Sequence, residues 1–362
     1  MRRKSSFRQM KQPVHGGNLV WAAAQIGCPV SSILDFSASI NPLGPPQTVL
    51  TAIKMALDSL KHYPDPQYTN LRQALSEWHQ LPSEWILPGN GAAELLTWAS
   101  RDLAAQKHTY VMIPGFRDYW RGLQTFGATI TPISFPWQTP NSLSLLDNCP
   151  ETEAGIIINN PHNPTGQLFP REALLPLLER FKLVVVDEAF MDFVPSSRQQ
   201  SLIPWIGDYP NLVIVRSLTK FYSLPGLRLG YAIAHPTRLQ QWQTWRDPWP
   251  VNSLAVTAAI TAIQDKAFAQ QTRQWLLSAY EQLLTGLLQI QGLEPVPSSV
   301  NFILVKTQIP SSQLQLELLQ KHRILIRDCS TFETLGDRYF RIAVRTFREN
   351  NKLLQALSDI CA

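Results

Sequence analysis

Short apolar runs alternate with amphipathic stretches through the middle of the chain. Each run has four to six residues and is rich in β-branched side chains; the runs are Thr109–Ile113, Gly155–Ile158, Leu183–Val186, Leu212–Val215 and Leu229–Ala234. Because both faces of each run are apolar, they suit strands that helices cover on both sides. Helical periodicity in the intervening segments, such as Pro170–Phe181, therefore predicts an α/β fold with a mainly parallel sheet.

The pattern changes after Trp249. A long helical stretch, roughly Leu254–Leu288, leads into a second, α+β unit. Its predicted strands are Asn301–Val305, Ile324–Arg327 and Tyr339–Val344. We predict an N-terminal arm that joins a smaller domain (residues 1–40), a large domain (41–245) and a small C-terminal domain (246–362).

Composition excludes several classes of protein. The chain has 362 residues, 44% hydrophobic and 16% charged, which is typical of a globular enzyme of two domains. No apolar run approaches the roughly 18 residues of a membrane helix. The basic N-terminus lacks the apolar core of a signal peptide. We expect a disordered arm at the N-terminus rather than a transit peptide. Net charge is +5 without a Lys/Arg run, so neither nucleic acid nor membrane is an expected partner.

The cysteines bear on compartment and metal binding. Cys28, Cys149, Cys329 and Cys361 are scattered, without the spacing of a metal site. Free thiols are typical of a reducing compartment, so we predict a cytoplasmic protein without a metal.

Polar residues follow three of the apolar runs. They are Asn159–Gly166, Asp187–Ala189 and Arg216–Lys220. Because ligands of open α/β sheets bind at the carboxyl ends of the strands, the three clusters predict a single site.

Each cluster has both a chemical and a plain structural interpretation. Asp187 ends a buried strand and needs a partner such as a protonated pyridine nitrogen, although it could equally cap a helix or form a salt bridge. Lys220 could form an imine if burial lowered its pKa, although most lysines lie at the surface. Ser217 and Arg228 flank Lys220 in the way that ligands of a phosphate would. The Gly89-Asn90-Gly91 turn could offer backbone N–H groups to the same phosphate, or it could be only a tight turn.

Together these motifs resemble the class I and II aminotransferases, which are fold-type I enzymes that use pyridoxal 5'-phosphate (PLP). The motifs are Asn-Pro-x-Asn-Pro-Thr-Gly at 160–166, Asp-Glu-Ala at 187–189, and Ser217, Lys220 and Arg228 at fixed spacing. The resemblance implies a Schiff base between PLP and Lys220, a pyridine nitrogen facing Asp187, and Asn163 on the phenolic oxygen. It also implies further cofactor contacts from Gly91, Ala92, Ser217 and Arg228 at the phosphate, Tyr119 stacked on the ring, and Tyr63 from the second subunit of a homodimer.

Two positions depart from the pattern. Phe190 stands where many relatives have a tyrosine that bonds the phenolic oxygen, and Ala93 stands where many have a phosphate-binding hydroxyl. We therefore expect the phosphate to depend more on backbone groups, Ser217 and Arg228.

Within the family, two groups that act on phosphorylated amino compounds are similar to the chain. His15-Gly16-Gly17-Asn18, the stretch 35–44, Arg216–Tyr222 and Ile324–Arg327 look like the threonine-phosphate decarboxylases of cobalamin synthesis. Histidinol-phosphate aminotransferases are the alternative. The favoured reaction converts L-threonine O-3-phosphate to (R)-1-amino-2-propanol O-2-phosphate. We expect an enzyme rather than a PLP-binding regulator, since the chain contains no helix-turn-helix segment.

The resemblance also implies substrate contacts. They involve His15, Asn18, Ser39, Asn163, Arg327 and Arg341. The glycines beside His15 also suit a plain flexible turn, and Arg327 also suits a surface salt bridge. Arg345 is either a further ligand or a solvent-facing partner of Arg341.

Overall fold

The computed structural model describes residue 13, residues 15–134, residue 137 and residues 153–361. Residues 1–12 of the predicted arm, and Cys149, lie outside these ranges. The helices are α1 (Leu19–Ile26), α2 (Gln47–Met55), α3 (Thr69–His79), α4 (Gly91–Ala104), α5 (Asp118–Thr125), α6 (Arg171–Arg180), α7 (Pro236–Trp245), α8 (Ser253–Gln264), α9 (Lys266–Leu288), α10 (Ser311–His322) and α11 (Phe347–Cys361). The strands are β1 (Leu34–Asp35), β2 (Ile86–Asn90), β3 (His108–Ile113), β4 (Ile130–Ser134), β5 (Ala154–Asn159), β6 (Leu183–Asp187), β7 (Leu212–Ser217), β8 (Leu229–Ala234), β9 (Leu293–Val296), β10 (Phe302–Thr307), β11 (Ile324–Leu325), β12 (Arg327–Asp328) and β13 (Tyr339–Ala343).

A seven-stranded sheet of order β2-β8-β7-β6-β5-β3-β4 forms the centre of the described residues. Strands β3 to β7 run parallel, whereas β8 is antiparallel to both β7 and β2. The predicted mainly parallel sheet is therefore present. The five predicted strands differ from the observed bounds by two residues at most, while β2 and β4 were not predicted.

Alternate residues of the central strands pack on opposite faces of this sheet. Ile156 and Val184 belong to the larger apolar cluster on one face, and Ile157 and Val185 belong to a second cluster on the other. Because helices cover both faces, nearly every side chain of β5, β6 and β7 is apolar until the strand ends. The polar residues that end these strands are thus confined to one edge.

A smaller sheet of order β12-β13-β10-β9 follows in the C-terminal part and is antiparallel throughout. The N-terminal segment joins this part, since β1 pairs with β11 in parallel and Ala22 and Ala23 pack against Leu319. The domain boundaries after residues 40 and 245 remain a prediction.

Two predicted elements are divided in the structure. The helical stretch 254–288 breaks at Asp265, whose backbone leaves the helical region (ψ 76°) and whose carboxylate accepts from the Phe268 N–H at 2.9 Å, so that it caps α9. The predicted strand Ile324–Arg327 splits at Ile326, because β11 pairs with β1 while β12 pairs with β13.

The described residues contain neither a candidate membrane span nor a candidate metal site. Within them, no helix combines the length and apolar composition needed to cross a membrane. The same residues contain no group of three or more His, Cys, Asp or Glu side chains placed to hold a metal ion.

Candidate active site

The three polar clusters converge at the carboxyl edge of the central sheet. Strands β5, β6 and β7 end at Asn159, Asp187 and Ser217, and Asn159 lies opposite Asp187 in the register. The Asn159 amide donates to the Asp187 carbonyl at 2.7 Å, which ties the two strand ends together. A cavity of about 620 Å³ opens beside them.

Ten of the predicted site residues line this cavity, and they come from both parts of the chain. They are His15, Ser39, Ala92, Asn163, Asp187, Ser217, Lys220, Arg228, Arg327 and Arg341. The structure therefore brings together positions separated by more than three hundred residues.

Asp187 is buried and held by two hydrogen bonds. The Tyr119 hydroxyl donates to its Oδ2 at 2.7 Å, and the Ala189 N–H donates to its Oδ1 at 3.0 Å. Burial raises the pKa of Asp187, although Tyr119, Lys220 and Ala189 all oppose that rise. Tyr119 thus contacts the predicted pyridinium partner directly, a bond that sequence reasoning did not anticipate.

Lys220 lies beside Asp187, after the end of β7. Burial lowers the pKa of its amine to about 8, with help from Arg228 and Arg341, while Asp187 raises it. The amine lies 4.9 Å from the centre of the Phe190 ring, so the residue that replaces the expected tyrosine offers a π face instead of a hydroxyl. A lowered pKa leaves more of the amine neutral, as imine formation requires.

The start of α4 and Arg228 form a cradle next to Lys220. Gly91 has a left-handed backbone (φ +77°), and a methyl group there would lie 2.6 Å from the Arg228 Nη2. Arg228 itself has φ 57°, which few non-glycine residues adopt. Backbone N–H groups at the beginning of this 14-residue helix and a guanidinium thus point at one place, as an anion site requires.

Ser217 and Thr219 complete the cradle. Their hydroxyls lie 2.8 Å apart, and both residues are buried at the cavity wall. Thr219 was missed in the sequence, although its position between Ser217 and Lys220 was a usable signal.

Arg327 and Arg341 approach the cavity from the small sheet, where they face each other across β12 and β13. Arg341 donates to the Asn163 Oδ1, and burial lowers its pKa to about 10. Arg327 donates to the Pro13 carbonyl at 3.1 Å and to the Thr331 hydroxyl at 2.8 Å, and burial lowers its pKa as well. The predicted alternative of a surface salt bridge does not apply, since Arg327 is only 5% exposed.

The N-terminal segment covers one side of the cavity. The Gly17 N–H donates to the Ser37 Oγ at 2.7 Å, and a methyl group at Gly16 would collide with the Ser37 carbonyl oxygen. This contact holds His15 at the cavity, with its ring 5.7 Å from that of Phe116. Nearby, the buried Ser39 Oγ has no hydrogen-bond partner among the described residues, which suits a ligand contact.

Five residues that the sequence singled out do not line the cavity. Gly91 and Tyr119 lie behind it, against Arg228 and Asp187. Asn18 caps α1 by accepting from the Trp21 N–H at 2.9 Å. Tyr63 is 78% exposed and stacks on Trp249, and Arg345 pairs with Glu349 at 2.9 Å rather than with Arg341.

A buried ionic network supports the cavity from behind. Arg216 pairs with Glu188 at 2.9 Å and with Asp192 at 2.8 Å, and all three side chains are buried. Arg216 and Glu188 each adjoin a cavity residue, Ser217 and Asp187, so the network fixes the ends of β6 and β7. A buried pair of this kind is costly to break from one side.

Comparison with known proteins agrees with this geometry. Residues 31–357 match the family model described as aminotransferase class I and II. The chain belongs to the class I and II aminotransferase family. PLP is its cofactor, and the predicted α/β, fold-type I architecture is confirmed.

Relatives in the family fall into two groups. A threonine-phosphate decarboxylase of Salmonella typhimurium is 37% identical over 96% of this chain and 96% of its own length. Histidinol-phosphate aminotransferase 2 of Nitrosospira multiformis is 30% identical over 93% of this chain and 86% of its own.

Solved structures show the same aminotransferase-family fold. L-threonine-O-3-phosphate decarboxylase of Porphyromonas gingivalis superposes with a TM-score of 0.81 and 25% identity, covering 91% of this chain and 99% of its own. A PLP complex of the Sinorhizobium meliloti histidinol-phosphate aminotransferase has a TM-score of 0.86 at 23% identity, covering 100% and 98%. The cradle at Gly91 and Arg228, the lowered pKa of Lys220 and the carboxylate of Asp187 fit PLP.

Proposed function

We propose that this enzyme decarboxylates L-threonine O-3-phosphate to (R)-1-amino-2-propanol O-2-phosphate, a step of cobalamin biosynthesis. One observation carries the proposal: a second group of polar side chains, separate from the cofactor cradle, faces the same cavity. Arg327 and His15 belong to it, and the N-terminal arm holds them there. The 37% identity with a threonine-phosphate decarboxylase supports the same reaction.

The residues divide between cofactor and substrate. We assign Lys220, Asp187 and Asn163 to the cofactor ring, with Tyr119 positioning Asp187. We assign the cofactor phosphate to the remaining residues of the cradle, which are Gly91, Ala92, Ser217, Thr219 and Arg228. The substrate then falls to His15, Ser39, Arg327 and Arg341, with Asn163 shared.

The substrate carries two anionic groups that this arrangement separates. We assign the phosphate to Arg327 and His15, and the carboxylate to a loose contact with Arg341. A tight grip on the carboxylate would stabilise the ground state, because carbon dioxide leaves without charge. Arg341 also donates to Asn163, which limits what it can give to a carboxylate.

When bound, the cofactor supplies an electron sink for the electrons that remain on Cα after carbon dioxide leaves. Lys220 is then the proton donor at Cα. The pKa of the Lys220 amine is about 8, so the amine is mostly protonated at neutral pH. This pKa is also close enough to 7 for the amine to release its proton readily. Asp187 would hold the protonated ring nitrogen of the cofactor, and its burial would limit competition from water.

A single assay separates the proposal from its rival. Purified holoenzyme is incubated with L-threonine O-3-phosphate, and released carbon dioxide is measured. We expect the amount of carbon dioxide released to equal the amount of threonine phosphate consumed, with no oxo-acid acceptor present. Turnover of histidinol phosphate that depends on 2-oxoglutarate, with no carbon dioxide from threonine phosphate, would assign the protein to the aminotransferases instead.

We further propose a homodimer with shared sites. Large apolar side chains are exposed along one stretch of the chain, including Leu50, Met55, Leu57 and Leu60, and Tyr63 follows directly. Several large apolar side chains exposed within one segment suit a subunit interface. Tyr63 would then reach the cofactor phosphate of the partner subunit.

A further inference from the structure

Arg117 lies at the mouth of the cavity, and the sequence analysis assigned no role to this residue. It directly precedes α5 and lines the cavity, and its side chain is exposed. Within the described residues its guanidinium has no acidic partner. Its neighbour Arg121 differs, because it donates to both oxygens of Asp118, at 2.6 and 3.0 Å, and to the Thr97 hydroxyl at 2.8 Å.

Arg117 shares its surroundings with the groups assigned to the substrate phosphate. Phe116, the preceding residue, contacts the His15 ring. Burial lowers the pKa of His15, Asp118 opposes this, and the positive charges of Arg327, Arg121 and Arg117 lower it further. Because its pKa lies below the usual value, His15 adds little positive charge at neutral pH, while its ring N–H can still be offered to an anion.

The charge of the substrate then requires a second cation. A phosphate monoester carries roughly −1.5 to −2 at pH 7. Arg327 supplies one positive charge and Arg341 is assigned to the carboxylate, while Arg228 belongs to the cofactor cradle. Arg117 is the remaining arginine of the cavity lining, and none of these assignments uses it.

We propose that Arg117 is a specificity-determining residue that binds the phosphate of the substrate from the large-domain side. The inference rests on the proposed function only in that the substrate carries a phosphate. Through Arg117, the large domain would contact the substrate phosphate directly, in addition to the contacts from the N-terminal arm and the small sheet.

Inorganic phosphate is the probe, titrated into the PLP-loaded enzyme by calorimetry. Arg117→Gln should raise the dissociation constant by about tenfold or more, the effect of losing a hydrogen bond to a charged group. Arg117→Lys should recover part of the affinity, because it restores the charge. The matched control is Arg121→Gln, which removes the same charge four residues further along the chain but lies outside the cavity lining. It should change the dissociation constant by less than about twofold.

Kinetics give the second measurement. Arg117→Gln should raise KM for threonine phosphate with little change in kcat, and should leave unphosphorylated threonine unaffected. An equal loss of phosphate affinity in Arg121→Gln would show a general effect of charge and overturn the assignment. The assignment would also fail if Arg117→Gln left the phosphate affinity unchanged. It would fail as well if Arg117→Gln raised KM equally for threonine and threonine phosphate. If the wild-type enzyme releases no carbon dioxide, the proposed reaction fails while the phosphate titration still tests Arg117.

Discussion

Lys220 and the surface lysines differ through their surroundings alone. Lys306 and Lys321 pair with Glu294 and Glu317 at the surface, at 3.1 and 2.8 Å. Lys220 instead lies in the cavity between the positive charges of Arg228 and Arg341, and burial is the largest cause of its lowered pKa. Among the lysines of the described residues, this environment favours Lys220 for the proposed reaction with an aldehyde.

We predict that the apoenzyme captures PLP through Lys220 with a rate set by the neutral amine. Because the pKa is about 8 and the amine reacts only when unprotonated, the rate should rise with pH and level off above that value. Below it the rise should be roughly tenfold per pH unit. Growth of visible absorption after mixing measures the rate.

Borohydride reduction identifies the residue. Peptide mapping after reduction should place the cofactor on Lys220, and Lys306→Ala should change nothing. Labelling of another lysine, or a rate independent of pH between 6 and 9, would contradict the assignment.

Arg327 carries a prediction about substrate preference. Arg327→Ala should cost about 1.5–3 kcal/mol in kcat/KM for threonine phosphate, the range for a hydrogen bond to a charged group. Threonine never makes that contact, so its loss should be much smaller. Arg345→Gln is the control, because that arginine pairs with Glu349 outside the cavity. Equal losses for both substrates would place Arg327 outside the phosphate site.

At the scale of elements, the N-terminal arm is attached to the site by a few specific contacts. Ser37 accepts from the Gly17 N–H and donates to the Asp35 Oδ1 at 2.6 Å, and Arg327 holds the Pro13 carbonyl. The absence of a side chain at Gly16 lets the two backbones approach closely. Arg327 therefore connects the arm to the proposed phosphate site.

We predict that Gly16→Ala displaces the arm without disturbing the cofactor. The added methyl group would collide with the Ser37 carbonyl oxygen and move His15, so KM for threonine phosphate should rise while the visible spectrum of bound PLP is retained. Gly207→Ala is the matched control, since a methyl group there meets nothing within 4 Å. Unchanged kinetics in Gly16→Ala would show that the arm does not position His15.

At the scale of the whole molecule, the exposed apolar side chains that precede Tyr63 are the proposed subunit interface. The Tyr63 ring stacks on Trp249 at 4.5 Å, which holds it in one orientation while leaving most of it exposed. A rigid aromatic side chain that is held out from the surface suits contact with a second copy of the chain.

We predict that Tyr63→Phe weakens PLP retention while the dimer and the fold remain. Only a hydroxyl is lost, and the stacking surface is kept. Loss of cofactor during dialysis, followed by absorbance, measures the effect, and sedimentation gives the assembly. Tyr209→Phe serves as a control, because its hydroxyl contacts only Glu179 at the surface. A fully active monomer would exclude the shared site.

The sequence by itself determined five strands of the central sheet, the polar residues that end three of them, and the PLP-dependent family to which the chain belongs. Apolar runs bounded by Asn159, Asp187 and Ser217 require a sheet covered on both faces, and their common edge follows from the parallel arrangement. The spacing of Ser217, Lys220 and Arg228 is local, so it could be recognised from the sequence alone. The antiparallel direction of β8 could not be predicted, because the direction of strand pairing depends on residues far away in the chain.

Only the tertiary structure decided which of the remaining polar residues meet. Tyr119 donates to Asp187, 68 residues further along the chain, and Arg341 donates to Asn163, 178 residues away. Arg117 entered the cavity lining in the same way. The Asn18 cap, the Arg345–Glu349 pair and Thr219 are by contrast local features that sequence reasoning missed. A side chain's role depends on which partners satisfy its hydrogen bonds and charge, and those partners are brought together by packing of segments far apart in the chain.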